Sequence, residues 1–117
     1  MDKGRRERLW DREEAVILVT EYFKTRNLSK DDIKLSHMKI SELLRKRERI
    51  LTGRDIDETF RNYAGICLQS SRIRCLDETT KYCGMKPTEI QKQIFDEYLK
   101  DPAGVNKEAE DIWKKYS

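Results

Sequence analysis

Residues that interrupt α-helices are rare in this chain, which has two prolines and five glycines among its 117 residues. Proline lacks a backbone N–H and glycine has excess backbone freedom, so long stretches without either can continue as helix. Charged residues make up 40% of the sequence and apolar residues 37%. A helix accommodates this balance because it buries only one stripe of its surface. The sequence therefore predicts an all-α fold of about five helices.

Apolar residues recur at helical spacing in each of the predicted segments. Capping residues indicate the ends: Asp11, Asn62 and Thr88 suit helix N-caps, and Gly53 suits the residue that follows a helix. The apolar run 16–19 would also fit a strand, but its charged flanks favour a helix. The predicted helices span residues 11–26, 36–51, 63–76, 89–100 and a last segment that starts at 102 or 105 and ends at 116, with a polar connector at 27–32.

The order of these segments predicts one helical domain. Residues 1–9 are expected to be a flexible basic arm, and residues 10–117 a single helical domain of ordinary size. Within it, residues 10–77 are predicted to form a trihelical core of the helix-turn-helix type, with a short break before the third helix. Residues 87–117 are predicted to form a C-terminal helical pair that packs against this core.

Charge is distributed unevenly along the chain. The net charge is only +3, but residues 39–74 contain nine basic side chains against five acidic ones. Residues 87–117 contain five lysines against seven acidic side chains. A basic middle of this kind is typical of a surface that meets a polyanion.

Residues suited to catalysis are scarce. The chain has one histidine, His37, and three cysteines, Cys67, Cys75 and Cys83, with none of the close pairs that hold zinc. Glycine-rich phosphate-binding motifs and nucleophile motifs are absent from the sequence. We therefore expect a non-enzyme without cofactor or metal, in a reducing cytoplasmic location. No signal peptide is visible, and no apolar run reaches the roughly 20 residues of a membrane span.

The third predicted helix and its surroundings carry the side chains that nucleic-acid recognition needs. Arginine and lysine neutralise phosphates, whereas asparagine, glutamine and arginine can also bind base edges. The pattern is equally compatible with the exposed face of an ordinary bundle helix. The predicted groove-facing residues are Asn62, Gln69, Arg72 and Arg74, with Gln69 and Arg72 favoured as base readers; the predicted phosphate contacts are Arg45, Lys46, Arg47, Arg49, Arg54 and Arg61.

Several short motifs resemble an N-terminal module of HNH-type restriction endonucleases and related defence proteins. Residues 10–16 are similar to its opening W-x-R-E-E-A, and residues 60–66 to its F-R-N-x-x-G-I/V entry into the third helix. Similar continuations follow at residues 67–69, 76–77, 84–90 and 94–98, so the resemblance covers nearly the whole chain.

The resemblance implies a Myb/SANT-like trihelical domain that binds double-stranded DNA. The nuclease half of that family has no counterpart here, since one histidine cannot supply an HNH metal centre. The chain would be the targeting domain, or a free-standing relative, of a restriction or defence nuclease. The alternative is a protein-interaction module (a homodimer, an adaptor or an anti-defence inhibitor) that uses the C-terminal helices. Trp113 and Tyr116 support it, because aromatic residues are enriched at interfaces, although both could simply cover the core.

Overall fold

The first helix, α1, occupies Arg12–Thr25 and is enclosed by the rest of the chain in a computed structural model that describes residues 8–117. Its N-cap is Asp11, as predicted, and the capping box is reciprocal. Asp11 Oδ1 accepts from the Glu14 N–H at 3.1 Å, and Glu14 Oε1 accepts from the Asp11 N–H at 3.0 Å. All residues from 14 to 22 are buried, so the run 16–19 is helical. Residues 1–7 of the predicted arm lie outside the described residues.

Four more helices follow, and they confirm the predicted all-α fold. Their bounds match the predicted ones closely except at the start of the second, which begins at Lys30 rather than at residue 36. Ser29 Oγ accepts from the Asp32 N–H at 3.2 Å, and the acidic first turn complements the helix dipole. The predicted connector at 27–32 was therefore too long. The helices are α2, Lys30–Thr52; α3, Tyr63–Arg74; α4, Glu89–Lys100; and α5, Pro102–Tyr116.

Helix α1 lies at the centre of the arrangement and contacts each of the other four. The four also contact one another in sequence: α2 with α3, α3 with α4, α4 with α5, and α5 back with α2. Helices α1, α2 and α3 thus pack together, and α4 and α5 complete the enclosure of α1. One hydrophobic cluster draws buried residues from all five helices. No helix within residues 8–117 is long and apolar enough to cross a membrane.

The turn after α3 is fixed to α1 by a buried carboxylate. Asp77 Oδ2 accepts from the Tyr22 hydroxyl at 2.7 Å and from Arg26 Nη1 at 2.8 Å, and Oδ1 accepts from the Thr79 hydroxyl at 2.7 Å. Burial raises the pKa of Asp77, but the hydrogen bonds from Thr79, Tyr22 and Arg26 outweigh it and lower the pKa to about 2. The carboxylate is therefore ionised at neutral pH and holds the end of α3 in place.

Candidate nucleic-acid interface

Arg61 lies at the end of the α2–α3 connector and points into the protein. Its Nε donates to Glu14 Oε2 at 2.9 Å, and its guanidinium lies 3.9 Å from the ring centroid of Trp10 and 4.4 Å from that of Phe60. The Arg61 carbonyl accepts from the Ser41 hydroxyl at 2.7 Å, which supports a backbone φ of 48°. The residue is 2% exposed. The prediction that Arg61 contacts phosphate is therefore wrong, because its guanidinium cannot reach a ligand.

Arg47 is also part of the interior, on the side of α2 that faces α1. Its Nε donates to Glu13 Oε1 at 2.8 Å and its Nη2 to Asp11 Oδ2 at 2.9 Å, while the guanidinium lies 5.6 Å from the ring centroid of Tyr116. Burial lowers the pKa of Arg47, but the hydrogen bonds to the two carboxylates outweigh this effect, so the pKa is raised overall. The residue is 5% exposed. Arg47 therefore ties α2 to the start of α1 through these contacts, and its prediction as a phosphate contact was wrong.

Gln69, the favoured base reader, faces the core instead of solvent. It shares the buried stripe of α3 with Ile66 and Ile73. Its Oε1 accepts from Gln91 Nε2 at 2.7 Å, and Gln91 Oε1 in turn accepts from the Thr88 N–H at the start of α4. Because both amides are buried and committed to each other, the prediction of Gln69 as a base reader is wrong.

Two further predicted contacts shape the connector. Asn62 is the N-cap of α3, as predicted, and its Oδ1 accepts from the Gly65 N–H at 2.9 Å. That oxygen is therefore already used by the helix end. Arg45 is half-buried and crosses from α2 to the connector. Its Nη1 donates to the carbonyls of Asp57, Glu58 and Phe60 at 3.1, 3.2 and 2.6 Å. The first role of both side chains is to position the connector.

Helix α3 presents little polar chemistry to solvent. Arg72 is half-buried, and its Nη1 lies 3.5 Å from the Lys86 carbonyl. Arg74 is exposed, with its guanidinium 4.5 Å from the ring centroid of Tyr82. Leu68, on the open side of the helix, is 44% exposed. The cations of α3 are two arginines at its C-terminal end, and the helix lacks the row of exposed polar side chains expected along a recognition helix.

Several cations on α2 and in the turn after it are exposed and have no carboxylate partner within the part of the chain that the structure describes. Lys46, Arg49 and Arg54 are exposed, and no carboxylate of the described residues lies within ion-pair distance of them. The contrast with the other side of the protein is clear, because Lys100 on α4 pairs with Asp96 at 3.1 Å. The exposed cations of α2 and the following turn without a carboxylate partner among residues 8–117 are Lys30, Lys34, Lys39, Lys46, Arg49 and Arg54.

A groove that the sequence did not reveal lies between α2 and the start of α3. It has a volume of about 620 Å³. Its lining combines three large exposed apolar or aromatic side chains with three cations, one carboxylate and one hydroxyl group. Leu35, Met38, Arg45 and Arg49 lie on one side of α2, because they follow one another at spacings of three, seven and four residues, which share a helix face. The side chains that line the groove include Leu35, Met38, Lys39, Arg45, Arg49 and Tyr63.

A cysteine and the single histidine meet beside this groove. The Cys67 Sγ and His37 Nδ1 are 3.4 Å apart. Burial lowers the pKa of His37, so the ring is neutral at pH 7 and adds no charge to the surface. The neighbouring Cys67 side chain also raises the pKa of the Tyr63 phenol. Their sequence spacing gave no signal of this contact, since thirty residues separate His37 from Cys67.

The aromatic residues of α5 divide between core and surface. Tyr116 is 3% exposed and its hydroxyl lies 3.3 Å from Glu13 Oε1, so it belongs to the core. Trp113 is half-buried and lines two openings between α2 and α5, of about 700 and 230 Å³. Lys39 lines both of them as well. Trp113 alone of the two aromatic residues is available to a partner.

No group of three histidine, cysteine or carboxylate side chains that could hold a metal is found among residues 8–117. The geometry described above is therefore that of a basic, partly apolar surface formed by α2 and the start of α3. The resemblance to the module of HNH-type nucleases stays a prediction. Neither a protein-family model, a curated protein nor a solved structure matches this chain.

Proposed function

We propose that the chain binds nucleic acid through the basic surface of α2 and the turn that follows it. The observation that carries this proposal is the set of exposed cations on α2 that have no carboxylate partner among residues 8–117. Such cations displace the counterions that are condensed on the phosphates. The release of these counterions drives association at low salt. Lys46 and Arg49 are three residues apart and therefore neighbours on the helix surface. The binding free energy would come mainly from phosphate contacts.

Sequence preference is expected to be weak. Of the two favoured base readers, Gln69 is buried against Gln91, and Arg72 is half-buried beside the Lys86 carbonyl. Direct readout needs side chains that reach base edges in a groove. The role proposed here is thus that of a non-catalytic module that positions something else on DNA, as the predicted relationship to restriction and defence nucleases implies.

Salt dependence tests the proposal. Affinity for a mixed-sequence DNA is measured by fluorescence anisotropy between about 50 and 200 mM salt, where each phosphate contact contributes about −0.9 to the slope of log K against log salt. With Lys39, Lys46, Arg49 and Arg54 engaged, the expected slope is about −3 to −4. A slope near zero, or no binding at low salt, would refute it.

Matched charge changes locate the surface. Arg49→Ala and Lys46→Ala should each weaken binding and reduce the magnitude of the salt slope by about 1. Lys100→Ala removes the same charge from α4, which does not contact α2, and should leave both quantities nearly unchanged. Equal losses from all three variants would mean that only net charge matters and that no defined surface exists.

A second candidate function is a protein-interaction module, which the exposed side of Trp113 favours. Its position between two openings at the α2–α5 boundary would let a partner or a second copy cover it. Sedimentation or light scattering over a range of concentrations tests self-association. A dimer that Trp113→Ala weakens and Trp113→Phe retains would support this function, whereas a monomer at all concentrations would exclude a homodimer.

A reducing, cytoplasmic setting belongs to the same proposal. It is supported by three free thiols, Cys67, Cys75 and Cys83, since disulfides accumulate in oxidising compartments. Alkylation of all three thiols in protein taken directly from cells would agree with it. A mixed disulfide at any of them would contradict it.

A further inference from the structure

We propose that the groove between α2 and α3 binds single-stranded nucleic acid, with the ring of Tyr63 as a stacking platform for an unpaired base. This inference rests on the proposed function and assigns its ligand to single strands rather than to duplex DNA. Proteins that bind single strands combine a cationic groove with aromatic side chains. The proposed ligand is therefore single-stranded nucleic acid, in place of the double-stranded DNA that the sequence-based prediction named.

The position of Tyr63 provides the first argument. It is the first residue of α3 and is 40% exposed, so part of its ring faces the groove. Among the described residues, His37 has the only aromatic ring near it, with centroids 6.3 Å apart and planes tilted by 54°. The Tyr63 ring is therefore not stacked on another ring.

The walls of the groove provide the second argument. Leu35 and Met38 are 55% and 49% exposed, and both line the groove with Tyr63. Bases are flat and largely apolar on their faces, so they gain by covering such side chains. A duplex hides those faces within its own stack, whereas a single strand can turn a base outwards.

Cations along the same groove provide the third argument. Arg49 and Lys39 line it and carry no carboxylate partner among residues 8–117. Arg45 adds a further positive charge, although its Nη1 is held by the connector carbonyls. Glu42 is the only acidic residue in the lining. The groove therefore offers an apolar and aromatic centre beside phosphate-binding cations, which matches the alternation of base and phosphate along a strand.

The surface of α3 argues against duplex recognition. A recognition helix enters the major groove with polar side chains that reach base edges. Here the exposed part of α3 includes Ala64 and Leu68, and Gln69 is turned away. A concave site beside the helix is what the structure offers to a ligand, in place of a protruding polar face.

The test compares one strand with its own duplex. Fluorescence anisotropy is measured at low salt with a mixed-sequence strand of about 12 nucleotides, within the range that single-strand binding folds occupy, and with the same strand annealed to its complement. The wild-type protein, Tyr63→Ala, Tyr63→Phe, Arg49→Ala and Lys100→Ala are compared. Far-UV circular dichroism and thermal unfolding verify that each variant is folded.

The expected result is tighter binding of the strand than of the duplex, with an approximately tenfold loss for Tyr63→Ala on the strand only. Tyr63→Phe should retain the affinity, because the ring is kept, and Arg49→Ala should weaken both ligands. Duplex binding that equals or exceeds strand binding and ignores Tyr63→Ala would overturn the inference while leaving the proposed function intact. Absence of binding to either ligand would overturn both.

An acidic polypeptide is the competing occupant of a groove with these cations. Polyglutamate is therefore added as a competitor against the labelled strand. Weak competition that Tyr63→Ala does not alter supports the nucleic-acid assignment, because polyglutamate has no bases to stack. Strong competition with the same dependence on Tyr63 would overturn it.

Discussion

Replacing Glu14 by glutamine should cost about 4 kcal/mol of stability, because it removes the charge of one partner from a buried arginine–carboxylate pair. The carboxylate is fully buried. It accepts from Arg61 Nε at 2.9 Å and from Arg8 Nη1 at 2.8 Å. Breaking a buried pair by removing one partner typically costs about 3–5 kcal/mol.

The geometry places the cost near the upper half of that range. Oε1 of Glu14 also accepts from the Asp11 N–H, so the amide oxygen of a glutamine is expected to keep that place. The amide NH2 then falls at the Oε2 position, facing the Arg61 Nε–H, and two donors confront each other. The capping box is retained, so the measured loss isolates the charge and not the helix end.

An exposed ion pair in the same protein provides the control. Glu108 accepts from Arg12 Nε and Nη2 at 2.9 Å each, a similar two-oxygen arrangement, but its side chain is 35% exposed. Glu108→Gln should therefore cost less than about 1 kcal/mol. The difference between the two variants measures the effect of burial on an otherwise comparable arginine–carboxylate contact.

Equilibrium unfolding in urea, followed by far-UV circular dichroism, measures both losses. A domain of this kind has a stability of about 5–15 kcal/mol, so a folded population of Glu14→Gln should remain. The double variant Glu14→Gln with Arg61→Met should regain part of the loss, since it replaces both partners of the buried pair by neutral side chains. Similar losses for Glu14→Gln and Glu108→Gln would refute the reasoning.

Three further changes have defined outcomes. The pKa of Asp77 is depressed to about 2 in the folded protein from 3.8, so its contribution of at most about 2 kcal/mol is present above pH 4 and lost as the pH falls towards 2. The free energy of unfolding, measured as a function of pH, should fall between about pH 4 and pH 2, and Asp77→Asn should reduce this fall. Gln69→Leu leaves Gln91 Nε2 without its acceptor and should cost about 1–3 kcal/mol in urea unfolding. The same variant should leave nucleic-acid affinity unchanged. A selective loss of affinity would instead indicate that Gln69 contacts a base. Asn62→Ala removes the α3 N-cap and should lower stability by about 1 kcal/mol, whereas Asn62→Asp should retain it.

Local chemistry made the helix ends predictable. Asp11, Asn62 and Thr88 accept hydrogen bonds from the first turns of α1, α3 and α4, and Gly53 ends α2 with a φ of 68°. Each of these signals depends on a few neighbouring residues. The start of α2 was missed because Ser29 and its acidic first turn resemble a polar loop in composition, although their spacing is that of a capped helix.

The direction of long polar side chains was less predictable. Gln69 falls three residues after Ile66 and four before Ile73, on the buried stripe, so its periodicity could have placed it inside. Arg47 follows Leu43 and Leu44 at the same spacing. Arg61 gave no such signal, because its burial depends on Glu14 forty-seven residues earlier. The groove beside Tyr63 depends likewise on how α2 and α3 pack.

The position of α1 among the other helices bears on how the chain is made. During synthesis α1 emerges first, yet its cover includes α5, whose contacts with it join residues far apart in sequence. Apolar residues of α1 such as Ile17 and Val19 are therefore fully shielded only after α5 has left the ribosome. Contacts between residues so far apart in sequence slow folding relative to simple helical hairpins. Nascent chains that stop before Pro102 would expose part of this central helix and become targets for chaperones and proteases.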